Sequence, residues 1–377
     1  MNDSDPPVLV RDAASLNALV HRLGEISRAG VDTESNSLHA YRERVCLLQI
    51  SVPERDHLVD PLAVPDLSPL KPFFENPRVE KIFHAAEYDL LCLRRDFGFR
   101  VSGLFDTHAA SRSLGYKECG LSALLEREFG IPLDKPMQRA DWGHRPLSPR
   151  QLEYARMDTH YLPALRDRLA GQIESAGLWE ELRDEFLRLE NIPDLDSNEP
   201  EGHPFWRLRG VFELIPPQRA ILWALFKWRE QEAERIDRPS FHVLSGEAMI
   251  RLARIAADSN DGLRKAGLSD QIIRRWGNAM LKAIERGKHH NPPVPERNGG
   301  LNEEAQARLE AVRKWRKRRA EARGVESDVI LCRDAMFRIA RRAPETLAAL
   351  GQIPGIGSYR LSAYGGEILT ALKTARS

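Results

Sequence analysis

The stretch RAGVDTESNS, residues 28–37, ends a short apolar segment with two carboxylates, Asp32 and Glu34, two positions apart. In an extended strand, residues i and i+2 point to the same face, so the pair gathers negative charge on one side of a strand end. A divalent cation is the natural counterpart missing from the surrounding sequence. Taken alone, an Asp-x-Glu also fits a solvated acidic edge, so its meaning depends on what the rest of the chain brings to it.

The chain has 377 residues, 42% apolar and 29% charged, which describes a soluble globular protein with length for two to three domains. No apolar run approaches a bilayer span. The opening MNDSDPPVLVRDAASL lacks the basic and apolar regions of a secretory signal, and the expected compartment is the cytoplasm. Cys46, Cys92, Cys119 and Cys332 are scattered with no Cys-x-x-Cys pair, which reads as reduced thiols rather than a disulfide frame or zinc site. The net charge of +1 conceals a separation of signs: residues 174–203 are acid-rich, whereas RKWRKRRAEAR at 313–323 is almost wholly basic. Such asymmetry suits a polyanionic partner.

The first 190 residues alternate strand-like and helix-like segments. RVCLLQISV (44–52), DHLVD (56–60) and VEKIFHA (79–85) read as strands. LSPLKPFFEN, AEYDLLCLRRDFGF and segments near 106–114, 120–129 and 148–170 read as helices. The pattern predicts an α/β domain with a helix-covered sheet. Two polar, proline-bearing stretches follow, and what lies after each is a repeat: aligning Trp228 with Trp315 also aligns Met249 with Met336. The boundaries predicted are 1–190 for the α/β domain, a linker at 191–204, a helical domain at 205–287, a linker at 288–300 and a second helical domain at 301–377.

Two further acidic positions stand out. Asp89, in FHAAEYDLLCL, falls one turn into the helix after a strand. Asp158, in LEYARMDTHYL, follows Tyr154 by four residues, so phenol and carboxylate share a helix face. Singly, these are a surface charge and a half-buried aromatic. Together with Asp32-x-Glu34, their order and spacing resemble the DEDD exonuclease superfamily in its tyrosine form. KIFHAAEYDLLCL, LFDTHAASRSLGY and ADWGHRPLSPRQLEYARMDTHYLPAL are similar to ribonuclease D and its nuclear-exosome relative. LWALFKWREQEAERIDRPSFHVLSGEAMIRLA and IPGIGSYRLSAYGGEIL resemble helicase-and-RNase-D-C-terminal (HRDC) domains.

The resemblance implies a ribonuclease H-like mixed sheet with flanking helices, followed by two all-α HRDC domains. It implies 3′→5′ hydrolysis of RNA to nucleoside 5′-monophosphates, with tRNA precursors or other structured RNAs as substrates. Two divalent ions, Mg²⁺ or Mn²⁺, would be held by Asp32, Glu34, Asp89 and Asp158, with Asp32 bridging them and Tyr154 orienting the attacking water. Oxygen-only ligands suit these hard ions, and no His/Cys cluster favours zinc. No organic cofactor and no membrane are expected, and the default state is a monomer.

His84, Glu87 and His160 lie close in sequence to proposed ligands without matching the pattern. Arg145, in WGHRPL, has the guanidinium geometry for a substrate phosphate and equally for a salt bridge. The basic helix offers Arg313, Lys314, Arg316, Lys317, Arg318 and Arg319 to an RNA backbone, while Trp315, like Trp228, suits a core position. IPGIG (353–357) reads as a hairpin whose amides meet a phosphate or as an inter-helix turn. The alternatives are a DNA exonuclease of the same superfamily and a catalytically inactive RNA-binding protein; the latter would have lost an acidic ligand, and here all are present.

Overall fold

A computed structural model describes residues 6–132, 135–193, 204–291 and 301–375. Most of the two expected linkers, 194–203 and 292–300, lies outside the described residues.

The N-terminal region is built on six strands: β1 (Val8–Val10), β2 (Arg28–Ser35), β3 (Val45–Val52), β4 (Arg55–Val59), β5 (Glu80–Phe83) and β6 (Leu104–Asp106). Their order across the sheet is β1-β4-β3-β2-β5-β6. The β2–β3–β4 meander is antiparallel, and β1, β5 and β6 join it in parallel. This is the mixed sheet expected. β3 is buried along its whole length because alternate side chains face opposite ways. Leu48, Ile50 and Val52 enter the main core, and Leu47 joins Leu58, Trp142, Leu147 and Ala155 in a smaller cluster.

The helices of this region are α1 (Ala13–Leu23), α2 (Lys71–Glu75), α3 (Glu87–Phe97), α4 (Thr107–Ser113), α5 (Leu121–Phe129), α6 (Pro149–His160), α7 (Leu162–Ala176) and α8 (Trp179–Glu190). The single helix expected over 148–170 is two, with Tyr161 ending α6 and opening α7. Pro163 has no N–H for the helix ladder and disfavours helical backbone at the residue before it.

The remaining helices are α9 (Pro216–Arg235), α10 (Ser240–Val243), α11 (Gly246–Ile255), α12 (Asn260–Lys265), α13 (Asp270–Lys288), α14 (Glu303–Arg323), α15 (Ser327–Ile330), α16 (Arg333–Arg342), α17 (Leu347–Gly351) and α18 (Ser358–Thr374). The repeat read from sequence is visible in detail. Trp228 and Trp315 are both buried, as are Met249 and Met336. α11 and α16 both end on an alanine of positive φ, Ala256 and Ala343. The backbone groups into two compact units, one of residues 1–35, 44–196 and 301–377, the other of 36–43 and 197–300. The first contains the sheet, α1–α8 and α14–α18; the second contains α9–α13 around Leu222, Leu225, Met249 and Ile284. Among the described residues no helix is long and apolar enough to cross a membrane.

Candidate active site

β2 carries Asp32 and Glu34 beyond the point where it loses one neighbour. β5 pairs with β2 only through Arg28–Gly30, and the chain after β5 turns into α3, whose first turn holds Asp89. Asp106, buried at the end of β6, fixes that turn. Its carboxylate accepts the backbone N–H groups of Ala85 (3.1 Å) and Ala86 (2.8 Å) ahead of α3, and those of His108 (2.8 Å) and Ala109 (3.1 Å) at the start of α4. One side chain thus accepts from backbone donors at two helix starts, with Ala85, just ahead of α3, at φ +62°.

Tyr154 and Asp158 arrive on α6. Its N-terminus is set by Pro149 and by a capping box between Ser148 and Gln151. The C-terminal turn is tied to the meander by a buried polar network. Asp56 accepts from Ser51 Oγ (2.6 Å) and pairs with His160 Nδ1 (2.7 Å) and Arg156 (3.4 Å), while Thr159 Oγ1 meets Ser51 Oγ at 2.7 Å. α6 comes this close because residue 30 has no side chain: a Cβ there would lie 2.7 Å from the Thr159 carbonyl oxygen and 3.2 Å from Leu162 Cβ.

Oxygens of Asp32, Glu34 and Asp158 consequently lie within 4.8 Å of one another. Asp89 stands beside them, buried, accepting a hydrogen bond from Thr33 Oγ1 at 2.5 Å. All four carboxyls are driven upward, first by burial. For Asp32 the charges of Asp89, Asp158 and Glu34 add to this and place it well above the carboxylate range. Glu34 is pushed up to about 9 and Asp158 to about 8; Asp89 rises to about 7 despite the Thr33 bond, which favours its ionised form. The Tyr154 phenol is hydrogen-bonded to Asp158. Burial and the charges of Asp158, Glu34 and Asp32 raise it, so it remains protonated at neutral pH. A cluster of like charge with oxygen-only donors fits hard divalent cations, which offset the repulsion that otherwise holds protons on these groups.

A 3′–5′ exonuclease family profile matches residues 7–174, and an HRDC domain profile matches twice, over 218–284 and 305–372. The ribonuclease D of Zymomonas mobilis is 33% identical over 304 residues, covering 77% of this chain and 75% of that protein. The chain belongs to the ribonuclease D family. The exosome complex exonuclease RRP6 of Saccharomyces cerevisiae is 35% identical over 317 residues, 78% of this chain. The chain spans 43% of that relative's length and 29% of the length of the exosome complex component 10 homolog of Caenorhabditis elegans. The crystal structure of Escherichia coli RNase D shares the fold, with a TM-score of 0.71 over 98% of this chain and 99% of that one, at 24% identity.

The ribonuclease D-like motifs bring other residues near the cluster without adding them to it. His84 binds Thr107 Oγ1 at 2.9 Å and packs edge-on against His108. Burial pushes it down to about 3, so it is neutral. Glu87 is exposed and pairs with Arg188 at 3.3 Å. His160 belongs to the Asp56 network. Arg145, which suits a phosphate or a salt bridge by sequence, is a strut within the fold. It binds both oxygens of Asp60 (2.7 and 2.8 Å) and the carbonyls of Cys46 (2.7 Å), Trp142 (2.6 Å) and His144 (2.9 Å). A guanidinium has five N–H donors, and these contacts use them all. The strut holds the loop that packs Trp142 against Tyr154, ring centroids 6.1 Å apart.

On α14, Arg316 also turns inward, donating to the Leu331 carbonyl at 2.9 Å. Arg313 pairs with Glu310 and Lys317 with Glu321; Arg319 lies near Glu367 and over the Tyr364 ring. These residues, like Lys314 and Arg318, remain exposed. Trp315 is core, its Nε1 donating to Glu367 at 2.7 Å. The IPGIG turn meets an anion from the same chain: Arg360 N–H donates to Asp184 of α8 at 3.0 Å, and a Cβ on Gly357 would sit 2.1 Å from the Asp184 carboxyl carbon. Sequence reading passes over Gly30, Asp56, Asp106 and Asp184. A glycine two residues before the first of the strand carboxylates is the one signal that points to a close approach.

Proposed function

We propose that the chain is a 3′→5′ exoribonuclease that hydrolyses the terminal phosphodiester of RNA and releases nucleoside 5′-monophosphates. The observation that carries this reading is the convergence of Asp32, Glu34 and Asp158 within 4.8 Å, with buried Asp89 and the Tyr154 phenol beside them. The names of the ribonuclease D and exosome exonuclease relatives support RNA as the polymer.

Asp32, Glu34, Asp89 and Asp158 would hold two divalent ions, Mg²⁺ or Mn²⁺. Bound there, such ions supply a hydroxide nucleophile at neutral pH and relieve the charge developing on the leaving oxygen. The protein's own contribution is placement. Tyr154, kept protonated and donating to Asp158, stands where its phenolic oxygen would orient the attacking water. Asp56, His160 and Gly30 hold α6 at the distance that lets Asp158 share a site with Asp32. Water adds to phosphorus, the bond to the 3′-oxygen of the preceding nucleotide breaks, and the shortened RNA keeps a 3′-hydroxyl. We further propose that the exonuclease domain spans 1–190, that the HRDC domains span 205–287 and 301–377, and that exposed Lys314, Arg318 and Arg319 of the second hold RNA backbone. Such contacts add affinity without sequence choice, which suits trimming of tRNA and other structured precursors. The proposed working form is a cytoplasmic monomer with no organic cofactor.

The test is a gel assay on single-stranded RNA labelled at its 5′ end, with Mg²⁺, Mn²⁺ or EDTA, repeated on the DNA version. A ladder shortening from the 3′ end, on RNA and silenced by EDTA, is the expected result. An unchanged RNA band with either metal would overturn the reading, and equal cutting of DNA would overturn the substrate class.

A further inference from the structure

We propose that Thr33, the residue between the two β2 carboxylates, is a positioning residue that sets Asp89 for metal binding. The proposal rests on the metal reading above and concerns how the fourth carboxylate is held. Asp32 and Glu34 lie on β2, paired with β3, and Asp158 lies on α6. Their oxygens form the compact group within 4.8 Å, and Asp89 is not in that group. It comes from the first turn of α3, on the side of β2 where strand pairing has already ended at Gly30. A carboxylate there has two side-chain torsions to settle, and no strand neighbour settles them.

Thr33 does so. Its Oγ1 donates to Asp89 Oδ1 at 2.5 Å, part-buried, and its backbone amide contributes to the same carboxyl. A threonine hydroxyl has one hydrogen to give, so this bond commits it to one carboxylate oxygen and leaves Oδ2 without it. The hydroxyl thereby selects the rotamer and the oxygen that Asp89 presents. Hydrogen bonds of this kind behind a metal-ligating carboxylate affect metal affinity or activity by roughly 10–100-fold.

Thr33→Val keeps the shape and removes the hydroxyl, Thr33→Ala removes it with less bulk, and Thr33→Ser keeps it. Each full-length variant is titrated with Mn²⁺ alone by calorimetry, with thermal melts in EDTA to register folding. The expected result is that Thr33→Val and Thr33→Ala weaken one Mn²⁺ event about 10–100-fold while the other stays as in the wild type, and that Thr33→Ser follows the wild type. Exonuclease activity lost by Thr33→Val at low Mn²⁺ should return at high Mn²⁺, which a merely structural defect would not do. Wild-type Mn²⁺ affinity in either hydroxyl-free variant would overturn the proposal, as would equal weakening by Thr33→Ser. If one hydroxyl-free variant does not fold, the other against Thr33→Ser still decides. A wild-type chain that binds no Mn²⁺ would instead overturn the metal reading itself.

Discussion

Gly30→Ala tests whether the distance between α6 and β2 makes the site. The added Cβ would lie 2.7 Å from the Thr159 carbonyl oxygen, 3.2 Å from Leu162 Cβ and 3.5 Å from Pro163 Cδ. Carbon–oxygen contacts settle at roughly 3.3–3.6 Å, so the α6–α7 junction must retreat by about 0.6 Å. No flexible side-chain end is available to absorb the movement, because the nearest obstacle is backbone and the next is a Cβ. Overpacking of this size costs about 1–3 kcal/mol, or a fall in Tm of roughly 2–12 °C at the ~2–4 °C per kcal/mol usual for a domain near 200 residues. Asp158 is bonded to Thr159 and moves with it. A misplacement of ~1 Å can cost ~100-fold in rate, so about half that displacement implies a kcat loss on the order of tenfold. Circular dichroism melts and single-turnover RNA cleavage at saturating metal read both quantities. Wild-type Tm and rate in Gly30→Ala would refute the claim that this close approach builds the site.

Further outcomes follow from the same contacts. Arg145→Ala leaves buried Asp60 unpaired, for which about 3–5 kcal/mol of stability loss is expected; the salt dependence of RNA binding, read by filter binding, should not change, because the five Arg145 N–H groups are committed within the fold. In EDTA the site's carboxyls titrate above their unfolded values, with Asp89 at about 7, Asp158 at about 8 and Glu34 at about 9. The folded state therefore holds protons that the unfolded chain has released, and the stability from these groups, full below about pH 4, is lost as pH rises through 7–9. Metal-free Tm should fall across that window, Mg²⁺ should restore it, and calorimetry should show metal affinity rising with pH. Asp184→Ala removes the acceptor for Arg360 N–H at the start of α18. An effect of about 0.5–2 kcal/mol is expected, read as faster hydrogen exchange at the amides of the IPGIG turn and the first turn of α18.

What is legible in the sequence is what is local or periodic. The carboxylate pair of β2, the tyrosine four residues before Asp158, and the tryptophan and methionine recurring in the repeat each show in short spacings. The break at Tyr161 is signalled by the proline two residues on, although the apolar periodicity runs through it. What is not legible depends on partners distant in the chain. Arg145 offers the same guanidinium to phosphate or to carboxylate, and only the fold puts Asp60 in its reach. His160 stands two residues from a proposed ligand position, yet Asp56, 104 residues earlier, claims it. Arg316 looks like one more charge on a basic helix until the Leu331 carbonyl is folded against it. Asp184 looks like part of a solvated acidic run until α18 starts against it.

The most direct measurement compares wild type with Asp32→Asn on 5′-labelled RNA, with Mg²⁺, with Mn²⁺ and with EDTA, alongside a native-gel binding assay. The account expects stepwise shortening from the 3′ end by the wild type with metal, none in EDTA and none by Asp32→Asn, whose RNA binding stays intact. Cleavage by Asp32→Asn at near the wild-type rate would contradict it.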